Sequence, residues 1–295
     1  MRDDPVVLRL GLTQPWHADQ LFGHLAATAV PGVEEWRDGA YRRTVLLPHG
    51  PAIVALTPGT ADVGCRLWLA DPRDQDAAVA RCRFLLDLDT DPAPIDARLA
   101  QDEALAPWVA AVPGRRVPRT VDGGELALRA VLGQQVSTAA ARTHAGRLVQ
   151  AVGEPVLDPG GGLCFLFPTA AAVAGLDERL LALPSARRRT LLGLAGVLAD
   201  GRLDLSPVAD RAETRAALLR LPGIGPWTAG TIAMRALGDP DAFLPGDLGV
   251  AAAAVALGLG KGAQLLARAA RWSPYRAYAV QHLWGTVDHA INRLP

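Results

Sequence analysis

The sequence predicts an α+β protein, with a small antiparallel sheet backed by helices over residues 1–90 and an all-helical region over residues 91–295. Three observations predict this. The first ninety residues hold segments whose apolar side chains alternate with the two-residue period of strands. The Pro- and Asp-rich stretch DLDTDPAP marks a boundary near residue 90. Beyond it, Ala/Leu/Arg-rich segments carry apolar residues at helical spacing, punctuated by Gly and Pro.

The elements follow in order. VVLRLGL places Val6, Leu8, Leu10 and Leu12 on one face of a strand. HADQLFGHLAATAV has helical spacing. TVLLPHGPAIVALTP predicts a hairpin turning through Pro48-His49-Gly50-Pro51, and CRLWLA alternates again. DQDAAVARCRFLLDLD supplies a further helix. In the helical region Gly133 breaks one helix, and Ser137 or Thr138 caps the next. DRAETRAALLRL reads as a helix. Ser273-Pro274 reads as a capping serine followed by proline at the first helical position. PYRAYAVQHLWGTVDHAINRL predicts a closing amphipathic helix.

Half of the 295 residues are hydrophobic, but Gly, Pro or Arg breaks every apolar run short of membrane-spanning length. The N-terminal MRDDPVVLRLGL carries acids where a secretory signal carries positive charge. Cys65, Cys82 and Cys164 are too widely spaced for a disulfide framework or a C-x-x-C metal site, which fits a reducing cytosol. The zero net charge argues against a global polyanion binder and leaves room for a local basic face. Arg115-Arg116-Arg119 and Arg187-Arg188-Arg189 could form such a face or could be solvated helix surfaces. Lys261 is the only lysine.

Residues 221–250 read LPGIGPWTAGTIAMRALGDPDAFLPGDLGV. A dinucleotide-binding loop needs a preceding strand and a third glycine, and a phosphate-binding P-loop needs Gly-Lys-Ser/Thr; both are missing. Helix, Leu-Pro-Gly-Ile-Gly, helix is instead a tight helical hairpin. Gly223 and Gly225 are expected at positive dihedrals, with the N–H groups of the turn and of the second helix facing outward as an anion site. A nucleic-acid phosphate suits that geometry, as does an ordinary interhelical corner. Asp247, before Leu-Gly-Val-Ala-Ala, suits a helix cap and a catalytic carboxylate equally.

Taken together, LPGIGPWTA with FLPGDLGV, RAVLGQQVSTAAA, SPYRAYAVQHLW and LFGHLAATAVPGVEEW resemble the helix-hairpin-helix DNA glycosylases. The likeness is to their alkylpurine branch, the DNA-3-methyladenine glycosylase II family, from about residue 5 to residue 290. The resemblance implies an enzyme that extrudes a damaged nucleotide from duplex DNA and cleaves its glycosidic bond. It implies Asp247 as the catalytic carboxylate. Leu221, Gly223, Ile224, Gly225 and Thr228 would form the phosphate-gripping hairpin, and Gln135 the wedge in the base stack. Trp227, Trp284, Gln134, His24, Thr231 and Leu248 would lie around the base. His24, Thr231, Leu248 and Gly249 stand where relatives place aromatics, which implies a less aromatic pocket.

Where bifunctional relatives carry a Schiff-base lysine, this chain has Trp227, which cannot form an imine; a monofunctional enzyme is therefore expected. An indole face also attracts cationic alkylpurines. Asp239 and Asp241 read as solvated loop acids, and Trp16, Trp36, Trp68, Trp108 and Trp272 as core residues. No cofactor is expected beyond a monovalent cation at the hairpin turn. The expected partner is double-stranded DNA carrying alkylated bases, bound by a monomer at the bacterial nucleoid, with no membrane association. The reading from a different class is a non-catalytic helix-hairpin-helix protein binding bent or damaged DNA. Asp247 separates the two, because a pure binder has no use for it.

Overall fold

A computed structural model describes residues 4–287 and 289–295. The first part runs β1 (Val6–Gly11), α1 (Ala18–Ala27), β2 (Glu34–Arg37), β3 (Ala40–Leu47), β4 (Gly50–Pro58), β5 (Asp62–Leu69) and α2 (Gln75–Leu85). The rest is helical: α3 (Ala93–Leu99), α4 (Ala106–Ala111), α5 (Gly123–Leu132), α6 (Thr138–Val152), α7 (Ala170–Ala174) and α8 (Ser185–Ala199). It continues through α9 (Arg211–Arg220), α10 (Pro226–Arg235), α11 (Leu248–Ala256), α12 (Ala263–Ala269) and α13 (Arg276–Gly285). The fold is α+β, an antiparallel sheet followed by a helical core.

The sheet order is β1-β5-β4-β3-β2, and every pairing is antiparallel. The β3–β4 hairpin turns at Pro48-His49, with Leu47 opposite Gly50. Sequence periodicity missed β2, because Glu34, Glu35 and Arg37 hide its alternation. The available signal was Asp38-Gly39, whose φ values of 52° and 72° suit a two-residue hairpin turn. Leu10, Phe22, Leu56, Leu67 and Leu85 belong to one apolar core beneath the sheet. A second core runs from Ile95 to Leu283 and draws in Val30 and Val33. Cys65 and Cys82, distant in sequence, meet as free thiols inside the first core.

Three helical expectations are corrected. Helix α13 ends at Gly285, not near the C-terminus, and Ala277–Leu283 are buried on all sides, so it is a core helix, not an amphipathic one. The proposed helix also covered Asp288, which lies outside the described residues. Ser273 caps nothing: its hydroxyl donates to Asp241 Oδ2 at 2.9 Å, and α13 starts at Arg276. Asp241 is accordingly no solvated acid, since Arg276 pairs with it at 2.7 Å. No helix among the described residues is long and apolar enough to cross a membrane.

The arginine run 115–119 turns inward. Arg115 and Arg116 are buried, Arg116 donates to the Thr13 carbonyl at 2.5 Å, and Arg119 pairs with Asp87 at 2.7 Å. Of the second run, Arg187 donates to the Gln134 carbonyl at 2.6 Å, while Arg189 stays exposed.

A buried ionic cluster joins the sheet to the helical core. Arg43 on β3 reaches Glu34 at 3.1 Å and Glu125 at 2.6 Å. Arg129 on α5 reaches the same two carboxylates at 2.9 and 2.8 Å. The Tyr41 hydroxyl donates to Glu34 Oε1 at 2.5 Å and the Val30 N–H to Oε2 at 2.8 Å. Burial by itself raises the Glu34 pKa, but Arg129, Arg43 and Tyr41 outweigh it and hold the group down at about 2. Glu34→Ala leaves two buried guanidiniums to share the single carboxylate of Glu125 and should cost about 3–5 kcal/mol in urea unfolding at pH 7. A depressed carboxyl stabilises the fold fully above its unfolded value of 4.5, and the contribution fades as pH falls toward 2. The gap between wild type and variant should therefore narrow over that window.

Candidate active site

Asp247 stands at the N-terminus of α11 and is held by three donors. Its Oδ1 accepts the Val250 N–H at 2.9 Å, which caps the helix. The same oxygen accepts Trp284 Nε1–H at 2.9 Å, and Oδ2 accepts Trp227 Nε1–H at 2.9 Å. Cap and candidate catalyst are thus one group in one geometry. The sequence reading took the two tryptophans for stacking faces; their N–H edges also clamp the carboxylate from α10 and α13. Gly249 makes room for this clamp, since a Cβ there would lie 3.1 Å from Trp284 Cδ1.

Beside the clamp lies a cavity of about 450 Å³ between α1, the sheet side of the ionic cluster and helices α5, α6 and α10. His24, Trp227, Thr231, Gly249 and Trp284 line it. Two residues predicted for the pocket do not. Leu248 is 87% exposed at the first position of α11, where helix geometry points it to solvent. Gln134 turns away from the cavity, and its Nε2 donates to the Gly223 carbonyl and to Thr228 Oγ1, both at 3.0 Å. Gln134 therefore ties the α5–α6 loop to the hairpin. Gln135 beside it is exposed, with the left-handed φ of 55°. Ser137, and not Thr138, caps α6 by accepting the Ala140 N–H.

The hairpin connects α9 to α10. Gly223 has φ 83°, and a Cβ there would fall 1.9 Å from Thr190 Oγ1. Gly225 differs from expectation: its φ is −93°, with nothing near the Cβ position. It serves α10 as an N-cap without a side chain, so no side chain occupies that helix's N-terminus. Ile224 plugs the turn into the helical core. Thr228 is buried and its hydroxyl is engaged by Gln134, which leaves the backbone, not this side chain, facing outward. The Leu221 carbonyl accepts Ile224 N–H at 3.1 Å and the Gly223 carbonyl accepts Gln134. Each oxygen keeps a second lone pair, enough to share with a monovalent cation that would add positive charge at the turn.

Sequence reasoning missed two parts of the cavity wall. One is Arg129 and Arg235. The other is the C-terminal tail, whose Val287, His289, Ile291 and Asn292 close one side. Asn292 folds the tail back by donating to the Trp284 and Val287 carbonyls at 3.1 and 3.0 Å. The available signal was Gly23 in the middle of α1, where a Cβ would meet the Arg293 carbonyl at 2.2 Å.

Comparisons with known proteins identify the family. Over 277 residues the chain is 32% identical to DNA-3-methyladenine glycosylase 2 of Escherichia coli, covering 92% of this chain and 94% of that protein. This chain belongs to the DNA-3-methyladenine glycosylase II family. Residues 7–122 match the family described as the AlkA N-terminal domain. The chain is 54% identical over 291 residues to a Mycobacterium tuberculosis protein described as a probable bifunctional transcriptional activator/DNA repair enzyme AlkA. That match takes in 98% of this chain and 59% of the relative, so the chain spans under two thirds of its length. Among solved structures, a 3-methyladenine DNA-glycosylase from Archaeoglobus fulgidus superposes with TM-score 0.78 at 20% identity, over 95% of this chain and 97% of that one. An 8-oxoguanine glycosylase/lyase from Clostridium acetobutylicum superposes with TM-score 0.74 at 17% identity, over 96% of each chain. Both share the fold.

The two hairpin glycines should respond differently to substitution. Gly223→Ala meets both a left-handed backbone and the Thr190 side chain, and should lose more than about 1 kcal/mol. Gly225→Ala meets neither and should stay within about 0.5 kcal/mol of wild type. Thermal unfolding of the two variants distinguishes them.

Proposed function

We propose that this chain is a monofunctional DNA glycosylase that excises alkylated bases of the 3-methyladenine type from duplex DNA. The observation that carries this reading is Asp247, a carboxylate clamped by two indole N–H groups and a helix N-terminus at the edge of a base-sized cavity. The protein acts as a monomer on DNA in the cytosol. The α9–α10 hairpin grips a backbone phosphate through main-chain N–H groups, which positions the duplex without reading sequence. Gln135 enters the stack where the damaged nucleotide leaves it, and the extruded base occupies the cavity between the indoles.

The glycosidic bond of such a nucleotide breaks with its electron pair leaving on the base nitrogen, and positive charge develops on the sugar. Asp247 sits where that charge appears, and its fixed negative charge stabilises it. Water then adds to the anomeric carbon and gives up a proton, with Asp247 orienting it. A cationic alkylpurine leaves as a neutral base, so no acid is needed to protonate it. Trp227 occupies the position at which a lysine would attack the sugar, and the chain's single lysine is Lys261. Water is therefore the nucleophile, and the product is an intact strand with an abasic site.

Asp247→Asn keeps the size of the side chain and removes its charge. It should lower release of 3-methyladenine or 7-methylguanine from alkylated duplex by about 10³-fold, while duplex binding by gel shift persists. Wild-type protein that binds the lesion and releases no base would instead be a damage-binding protein. Strand cleavage by wild type without added base or amine would overturn the monofunctional mechanism.

A further inference from the structure

Helix α13 carries Trp284, one of the two indoles that hold Asp247, and two side chains from outside the helix grip its last turn. Asn292 donates to the Trp284 carbonyl at 3.1 Å. Arg115, from the segment between α4 and α5, donates through Nη1 to the Gln281 carbonyl at 3.3 Å. Its guanidinium lies directly on Gly285, where a Cβ would fall 2.3 Å from Nη2 and 2.6 Å from Nη1. A side chain at position 285 would therefore displace Arg115. The turn that Arg115 spans, from Gln281 to Gly285, contains Trp284.

This contact works against stability. Arg115 is buried; burial draws its pKa down to about 10, and no carboxylate offsets the shift. It stays charged at neutral pH without a counter-ion. Near it His282 is buried with neither ring nitrogen hydrogen-bonded, and burial first and Arg115 second hold that ring neutral, with a pKa of about 3. The negative charge left for Arg115 is that of backbone carbonyls near the C-terminus of α13, the negative pole of the helix. An apolar side chain of similar length would fill the same space without an uncompensated charge. Stability therefore does not account for an arginine here. What the arginine adds is a charged, directional N–H on the turn that presents Trp284.

We propose that Arg115 is a positioning residue for base excision, fixing the last turn of α13 so that Trp284 Nε1–H meets Asp247 Oδ1. This rests on the excision reading above and adds a residue to its machinery. A rotation of α13 by about 10° carries a side-chain tip about 1 Å, enough to take a 2.9 Å contact out of hydrogen-bond range. Asp247 would then keep the Val250 and Trp227 donors and lose the third. The carboxylate would stay at the site with its plane free to turn. Arg115 acts on the acid only through the indole N–H, so its effect depends on Trp284 being present.

The test is a double-mutant cycle read by single-turnover release of 7-methylguanine from alkylated duplex. Arg115→Met should slow release about 10-fold and leave duplex affinity, measured by gel shift, unchanged. Because it removes an uncompensated buried charge, its urea midpoint should not fall. Arg115→Lys should recover most of the rate, and Gly285→Ala, whose Cβ displaces Arg115, should reproduce the loss. In a Trp284→Phe background Arg115→Met should change the rate by less than about twofold. If Arg115→Met does not fold, Gly285→Ala takes its place in the cycle. An unchanged rate in these variants, or the same loss in the Trp284→Phe background, overturns the positioning role and leaves the excision reading standing. Wild type that releases no base overturns the excision reading and the positioning role with it.

Discussion

One carboxylate accepting three N–H groups organises this molecule. Asp247 takes the α11 N-terminus on one oxygen and an indole N–H on each, so α10, α11 and α13 are fixed around a single charge. Each donor constrains the carboxylate plane as well as its position, and none supplies a full positive charge that would quench it. A lysine or arginine in either place would hold Asp247 as firmly but cancel the field on which the proposed excision draws. Indoles orient the acid and leave its charge available.

The same clamp explains the position of the cavity. Trp227 and Trp284 use their edges on Asp247, which fixes their rings as walls of the adjoining space. The inner wall comes from the ionic cluster that bonds β2 and β3 to α5. A buried cluster of this kind adds little net stability compared with a hydrophobic packing of equal volume, but breaking it is costly. Its value here is geometric: it holds the sheet against the helical core, with the cavity between two apolar cores that would otherwise have no fixed relation. The C-terminal tail completes the enclosure only because Gly23 lets it lie against α1.

The fold class, the β3–β4 hairpin, the α9–α10 hairpin and the Asp247 cap were all legible from local pattern, because each depends on neighbours within a few residues. Strand β2 was hidden because Glu34 belongs to a buried ionic cluster whose other half lies near residue 125, while Glu35 pairs with Arg42 and Arg37 reaches the Gly160 carbonyl. Arg115, Arg116 and Asp241 were read as surface charges for the same reason: their partners are distant in the chain. Gln134 was placed at the base and instead ties the loop to the hairpin, a contact made across more than eighty residues of sequence.

By itself the sequence determined the element types, the glycine turn, the absence of a lysine at position 227 and the presence of an acid at the start of α11. Those are properties of short windows, set by period, capping chemistry and backbone sterics. The tertiary structure alone decided what the acid touches, which tryptophan edge faces it, and where the arginines go. Hydrogen bonds and charge balance depend on atoms that only folding brings within 3 Å of one another. The net charge is zero along the chain, yet among the described residues the cavity wall sets five arginines against one acid, Glu34. Composition averages over such a separation, and only the folded arrangement creates it.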